Sequence, residues 1–411
     1  MKNLSPLLIL WLFFSCSQEE SQIPIPTPAN SSANIETVTP HRLKIGDTLS
    51  IKGENLKKIN KVKFEYDQRI YDSYDVEIFS RNFVTYEDEL IEVIIPTAVH
   101  ENLNLMIGEE AYPIELVGFI PLSKYFPSIQ QFQTTDEKTG FVLADKKLYR
   151  STDGFYTWTT VIEYNQGFPD TFFFLNEDIG WLVYHDPYGG PGLYFTNNGR
   201  DFELMFRIEQ ESHGNVRKVY FLNENMGYLI NDDGTVLVIE NGIPVDLYEY
   251  YPQLKNPDIS RIDVYDLTAV SKDLLFLAPN DREFLVKIEN GNVSYSPFNI
   301  WPLAPQLFGN VGYLQANSDI YKTEDQGSTW NKIKTYENYY PQIWFYDQHH
   351  GMAFVNYNEP QIFETRDGGE TWHSYPVPAT VNLRTPTSGT SNFFTGYLGK
   401  FGSGLTKYIK E

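Results

Sequence analysis

The chain has 411 residues, 41% hydrophobic and 16% aromatic, with 54 acidic against 32 basic side chains and a formal charge of −22. This length exceeds a typical single domain and carries enough apolar surface for more than one packed core. The charge excludes recognition of nucleic acid or of an anionic bilayer through a basic patch and favours a neutral or cationic partner, while a single cysteine excludes a disulfide framework.

At the N-terminus Lys2 is followed by an apolar run from Leu7 to Phe14 and then by Ser15-Cys16. Such a run is too short to span a bilayer. The order of charge, apolar segment, small residue and cysteine resembles a lipoprotein signal peptide, although Phe13 and Phe14 stand where a Leu and a small residue are usual. The resemblance implies a signal peptide over 1–16 with Cys16 as the lipidated residue, and contact with the outer membrane through that lipid anchor only. Ser17-Gln18-Glu19-Glu20 is similar to the acidic tract of surface-exposed lipoproteins of the Bacteroidetes type, which implies an outward-facing anchor; a periplasm-facing one is the alternative. Residues 17–33, rich in Pro and Ser, read as a semi-rigid tether.

From 34 to 118 the apolar residues alternate in the strand period, as in Leu49-Ser50-Ile51, Lys61-Val62-Lys63-Phe64, Leu90 to Ile95 and Leu103 to Ile107, with turn residues between. The pattern predicts a small all-β sandwich. The succession Ile35, Val38, Pro40, then Gly46-Asp47-Thr48 and Gly53 to Leu56, then Val62 and Phe64, then Val93 to Pro96, resembles the IPT/TIG immunoglobulin-like family. That resemblance implies a spacer or interaction module without catalytic residues.

Beyond Gly118, over 119–411, the rhythm becomes a unit of about forty residues, the length of a propeller blade. Gly140-Phe141, Gly180-Trp181, Gly227-Tyr228, Gly312-Tyr313, Gly351-Met352 and Gly396-Tyr397 each open a second strand, whereas the unit at 259–298 lacks this glycine. A turn between third and fourth strands recurs at 153, 198, 241, 290, 325 and 367. Two of these turns, Thr323 to Trp330 with Asp325 and Gly327, and Thr365 to Trp372 with Asp367 and Gly369, spell Ser/Thr-x-Asp-x-Gly-x-Thr-Trp. A third, Ser151 to Trp158 with Asp153, has Phe155 at the glycine position, and Asn198-Gly199, Asn241-Gly242 and Asn290-Gly291 are simpler turn signals. The octapeptide is similar to the Asp-box, or BNR repeat, in which Asp closes the turn, Gly takes a conformation other residues resist, and Trp wedges between sheets. The fold expected is therefore all-β: an immunoglobulin-like sandwich followed by a β-propeller of seven blades, whose last unit, Asn392 to Glu411, borrows its missing outer strand from around Glu115 to Lys124.

Asp-box propellers include sialidases and other glycoside hydrolases, photosystem assembly factors of the Ycf48 kind and sortilin-type receptors, and the fold does not choose among them. A sialidase carries Arg-Ile-Pro, for which Arg207-Ile208-Glu209 and Arg261-Ile262-Asp263 are the nearest approaches here. No catalytic residue, cofactor or metal site is expected: the Asp-box carboxylates read as turn formers, His349 and His350 are adjacent and would point apart on a strand, and Asn231 to Gly234 lacks the spacing of a calcium loop. In a four-stranded blade the turns between strands one and two and between three and four share one face. The loops between strands two and three and the blade connections share the other, and there the sequence gathers Phe168, Tyr184, Asp186, Tyr188, Tyr250, Tyr251, Asn338, Tyr339, Tyr340, Asn356 and Tyr357. Tyrosines with Asp and Asn between them suit sugar rings or protein surfaces. The function expected is non-catalytic capture of a glycan at the cell surface; alternatives are a scaffold for a surface or outer-membrane protein and, less favoured, a glycoside hydrolase.

Overall fold

A computed structural model describes residues 33–65, 76–96, 103–126, 129–136, 138–155, 157–163, 167–186, 188–208, 215–255, 261–280, 282–337, 341–355, 361–376, 393–398 and 403–409, with backbone only at 118–125, 375–376 and 393–409. Cys16 and nearly all of the tether lie outside the described residues. Over 34–117 two sheets face each other. One runs Asn34–Thr39, Thr48–Glu54, Leu90–Ile94, Thr85–Tyr86, and the other contains Val76–Phe79, Lys61–Glu65, Leu103–Ile107 and the start of Glu110–Phe126. The alternating residues Leu49, Ile51, Val62, Phe64, Ile91, Val93, Leu103 and Leu105 all turn into one buried cluster. That is the arrangement a strand period with one apolar face dictates.

Six four-stranded antiparallel sheets follow, each in simple chain order. Their first strands are Ile129–Thr134, Phe168–Phe174, Val216–Asn223, Val264–Ser271, Gln306–Phe308 and Gln342–Phe345, and their fourth strands are Thr159–Glu163, Glu203–Arg207, Ile243–Asp246, Asn292–Pro297, Asn331–Thr335 and His373–Pro376. No break falls at Gly118. The strand Glu110–Phe126 pairs with Leu103–Ile107 through its first half and, antiparallel, with Ser403–Ile409 through its second, so one strand belongs to the sandwich and also binds the C-terminal pair Phe393–Leu398 and Ser403–Ile409.

The hairpin turns of each four-stranded sheet lie on one face, tied by one repeated backbone bond. The N–H of Gly154, Gly199, Asn241, Asn290, Gln326 and Gly368 in the third-to-fourth turn donates to the carbonyl of Lys138, Asp178, Asn225, Asp273, Asn310 and His349, respectively, in the first-to-second turn, at 2.7–2.9 Å. The octapeptide turns add a shared set of side-chain bonds. Asp325 and Asp367 each accept the N–H of the Thr four residues on, at 2.8 and 2.9 Å, and Thr323 and Thr365 each accept the glycine N–H at 2.8 Å. Asp153 accepts the Thr157 N–H in the same way at 3.0 Å. Trp158, Trp330 and Trp372 are half-buried rather than enclosed, and Trp330 packs on Phe276 of the preceding sheet.

The seams between sheets rest on rings. Phe174, Phe221 and Phe345 stand at or near the ends of first strands opposite Gly180, Gly227 and Gly351, and each ring lies where a side chain on that glycine would stand. The other face of each ring meets an aromatic of the preceding sheet: Phe141 on Phe174 at 3.5 Å, Trp181 on Phe221 at 3.7 Å and Tyr313 on Phe345 at 3.5 Å, all within 5° of parallel. In the first sheet the position opposite Gly140 is Thr134, and the ring over Gly140 comes instead from Phe155, in the turn. Phe155 holds φ 77 there, alongside 78 for Gly327 and 90 for Gly369. A Cβ at Gly327 would run into Phe276 and one at Gly369 into Ile333, so the glycine form of the turn accepts a neighbour's side chain and the phenylalanine form supplies its own ring.

This exchange predicts a compensating pair. Phe155→Gly should remove a buried ring, at about 3–5 kcal/mol, while relieving a left-handed conformation of about 1–2 kcal/mol, a net loss of about 1–4 kcal/mol. Thr134→Phe alone should overpack the same space at about 1–3 kcal/mol. The double variant should return to within about 1 kcal/mol of the parent in denaturant unfolding; strictly additive losses would refute the exchange. The turn carboxylates generate a second expectation. Hydrogen bonds from the Thr329 N–H and hydroxyl hold Asp325 down to about 2, and the Thr371 hydroxyl and N–H do the same for Asp367. Both folded values lie below the unfolded one, so their contribution is complete above about pH 4 and fades as pH falls toward about 2. The unfolding midpoint of Asp325→Asn/Asp367→Asn should therefore vary less than the parent's across that window, and equal slopes would count against the assignment.

Candidate functional site

Among the described residues, the expected tyrosines do not form one platform. Tyr184 is 7% exposed, in a cluster with Phe141, Leu143, Phe172 and Phe174, and burial pushes its hydroxyl pKa up. Tyr251 is 6% exposed; its hydroxyl donates to the Lys272 carbonyl at 2.9 Å and lies 3.3 Å from that of Tyr228. Tyr250 donates to Glu240 at 3.1 Å, and burial followed by that bond raises it to about 12. Glu240 precedes the Asn241-Gly242 turn and Lys272 lies between the first two strands of its sheet, so both tyrosines reach the turn face and not the face opposite. The cause is local. Asp246 caps a short helix, Leu247–Tyr250, by accepting the Tyr248 N–H at 2.8 Å, and Leu247, Tyr251 and Leu254 then bury against Tyr228 and Leu275, which folds the connection back along the sheets. Asn338, Tyr339, Tyr340, Asn356 and Tyr357 lie outside the described residues.

Asp186 and Tyr188 do come together on the turn-free end of the second sheet, and with them come His185 of the same strand end and three residues from two other strand ends. Phe168 opens the first strand opposite His185, near the end of the second. The two rings stack at 4.7 Å and 8°. Beneath, His185 Nε2 lies 2.7 Å from Asp170 Oδ2, the imidazole donating to the carboxylate. The carboxylate thus fixes the imidazole, the imidazole backs the phenyl ring, and Phe168 remains 41% exposed.

Beside this platform the loop after Asp186 turns tightly. Asp186 accepts the Tyr188 N–H at 3.0 Å through one oxygen and Arg207 through the other, also at 3.0 Å, while Arg207 donates to the Gly190 carbonyl at 3.1 Å. The Tyr188 N–H and then the Arg207 guanidinium hold the Asp186 carboxyl below its ordinary range. The guanidinium lies over Gly189, where any Cβ would collide with it. Tyr188 itself stands 88% exposed. The result is a backed aromatic ring, a second ring in water and a fixed carboxylate–guanidinium pair on one edge of one sheet.

The neighbouring sheets continue this chemistry in weaker form. Arg217 lies 5.0 Å from the Tyr265 ring and pairs with Asp232; Arg261 lies 5.3 Å from the Tyr248 ring and pairs with Asp246. No group of three His, Cys, Asp or Glu side chains among the described residues is disposed to hold a metal ion. Asp170 and Arg207 were not expected at the site. Gly189-Gly190 after Tyr188 signals a close approach in the sequence, but nothing local identifies Arg207 as the approaching group.

No protein-family model and no curated protein matches the chain. Among solved structures it is similar to YCF48 from Cyanidioschyzon merolae, with a TM-score of 0.55 and 15% identity over 71% of this chain and 99% of that one. It is similar also to YCF48 bound to D1 peptide, with a TM-score of 0.54 and 14% identity over 72% and 96%. The WD40 β-propeller domain of Doa1 gives 0.50 and 14% over 71% and 97%. At these identities the likeness shows the fold alone: the chain is nearly all β and contains a β-propeller.

Proposed function

We propose that this chain is a non-catalytic glycan-binding lipoprotein, held in the outer membrane through Cys16 and facing outward. In this reading an IPT/TIG immunoglobulin-like sandwich spaces a seven-bladed Asp-box propeller from the membrane, and the propeller binds through its turn-free face. Six four-stranded sheets plus the C-terminal pair bound to Glu110–Phe126 support the blade number, and the shared Asp–Thr bonding of the 153, 325 and 367 turns supports the Asp-box. The observation that carries the binding assignment is the Phe168 ring backed by His185, with exposed Tyr188 and the fixed Asp186–Arg207 pair alongside. Sugar rings stack their C–H faces on such platforms while hydroxyls bond to carboxylate and guanidinium groups already held in place.

The same geometry argues against hydrolysis. A glycosidase acid needs a carboxyl with a raised pKa facing a second carboxylate, and Asp186 is shifted the opposite way by its two donors. A second reading, a docking surface for an outer-membrane or surface protein, draws on Arg217 over Tyr265 and Arg261 over Tyr248, since arginine and tyrosine are enriched at protein interfaces.

The test is migration of residues 17–411 through gels holding neutral polysaccharides, with the same samples assayed for released reducing sugar. Retardation on one polymer without product is expected. Phe168→Ala and Tyr188→Ala should each weaken it about tenfold, the effect of one buried ring. Retardation unchanged in both variants would remove the site. Retardation on no polymer, with salt-sensitive capture of one membrane protein, would replace the glycan reading by the second.

A further inference from the structure

Three large apolar side chains stand exposed within four residues of the connection between the fourth and fifth sheets: Ile300 at 40%, Trp301 at 56% and Leu303 at 38%. The segment carrying them is pinned. The Leu303 N–H donates to the Gln315 carbonyl at 2.8 Å, and Pro302 bridges to Ala316. Phe298, just before, is buried in a cluster with Leu314 and Ala316 and meets Tyr321 edge to face at 5.0 Å. Trp301 is therefore an exposed ring on a fixed backbone, not the tip of a loose loop. Gln315 and Ala316 end the second strand of the fifth sheet, at the loop leading to its third, which places Trp301 on the turn-free face with Phe168 and Tyr188.

We propose that Trp301, flanked by Ile300 and Leu303, is a second aromatic subsite for the ligand of the Phe168 platform, and that this ligand is an extended neutral polysaccharide long enough to cross from the second to the fifth blade. The inference rests on the glycan reading above and adds a ligand class to it. Two separated rings on one face read a chain with repeated apolar sugar faces, whereas a single sugar or a chain end would need only one. The polymer is neutral because a chain of formal charge −22 repels uronates and sulfated sugars. Separated subsites on one polymer multiply through effective concentration, so affinity rises with chain length and falls when either ring is lost.

The probe is whichever of xyloglucan, laminarin, galactomannan and starch retards the full chain most, together with oligosaccharides of rising length cut from it, titrated against the parent, Trp301→Ala and Trp301→Phe. Trp301→Ala should weaken binding of the polymer about tenfold and leave the shortest bound oligosaccharide unchanged. Trp301→Phe, which keeps a ring, should recover most of the loss, and this separates stacking from damage to the fold; matching thermal melts confirm the comparison. Polymer affinity untouched in Trp301→Ala, while Phe168→Ala weakens it about tenfold, would overturn the second subsite and leave the glycan reading standing. Equal affinity for short and long chains would also overturn it. Retardation by none of the four polymers would defeat both, and loss of a protein partner in Trp301→Ala with polymer binding intact would overturn the second subsite.

Discussion

The contact on which the propeller depends is a flat ring held between a glycine and another ring. Phe174, Phe221 and Phe345 each fill the space a side chain on the facing glycine would take, and each offers its second face to Phe141, Trp181 or Tyr313 of the sheet before. Strand hydrogen bonds close each sheet on itself and say nothing about its neighbours. The seam is fixed by shape, because a glycine is the one residue that lets a ring lie flat against the backbone. Polar side chains then lock the register of adjacent first strands: Gln133 both donates to the Phe174 carbonyl at 2.7 Å and accepts its N–H at 2.8 Å, and Gln131 does the same for Phe172.

Where this contact is absent, the chain reorganises, and the candidate site moves with it. The fourth sheet has Leu275 in place of the glycine and Ala269 opposite it in place of the ring, so its first strand presents no ring to Tyr228. The space beside Tyr228 is filled by the connection that follows Asp246, which inserts Leu247, Tyr251 and Leu254. A segment that reads as a tyrosine-rich loop on the binding face thus serves as packing between two sheets. The Tyr250 and Tyr251 hydroxyls are used up at the turn face, on Glu240 and Lys272.

This explains which parts of the molecule were legible in the sequence. Sheets and turns follow from local chemistry: alternation over Leu103 to Ile107, Asn-Gly pairs and the Gly-aromatic openings. The exchange of Phe155 for the turn glycine is visible as a lost motif residue, but its partner, Thr134, sits in a strand where nothing marks a missing ring. The site was only half legible for a related reason. Asp186 and Tyr188 share one loop and announce themselves, whereas Asp170 and Arg207 join them only because strands one and four of the same sheet end at that face. Tyrosine abundance is a poor guide to exposure, since the same amphipathic ring serves a seam as well as a surface.

The two faces of the propeller are built under different constraints, and that difference is why the proposed ligand is assigned to the turn-free face. On the turn face, backbone donors of the third-to-fourth turns are bound by the turns beside them, six times in the same way, and the octapeptide carboxylates are bound by threonines. A change there breaks a bond that the sheet needs. On the opposite face the described loops vary from two residues, Asp145-Lys146, to the helical connection after Asp246. Variation without cost to the seams lets one blade hold a backed ring at Phe168 and another a pinned Trp301, and the regular face leaves the irregular one free to be specific.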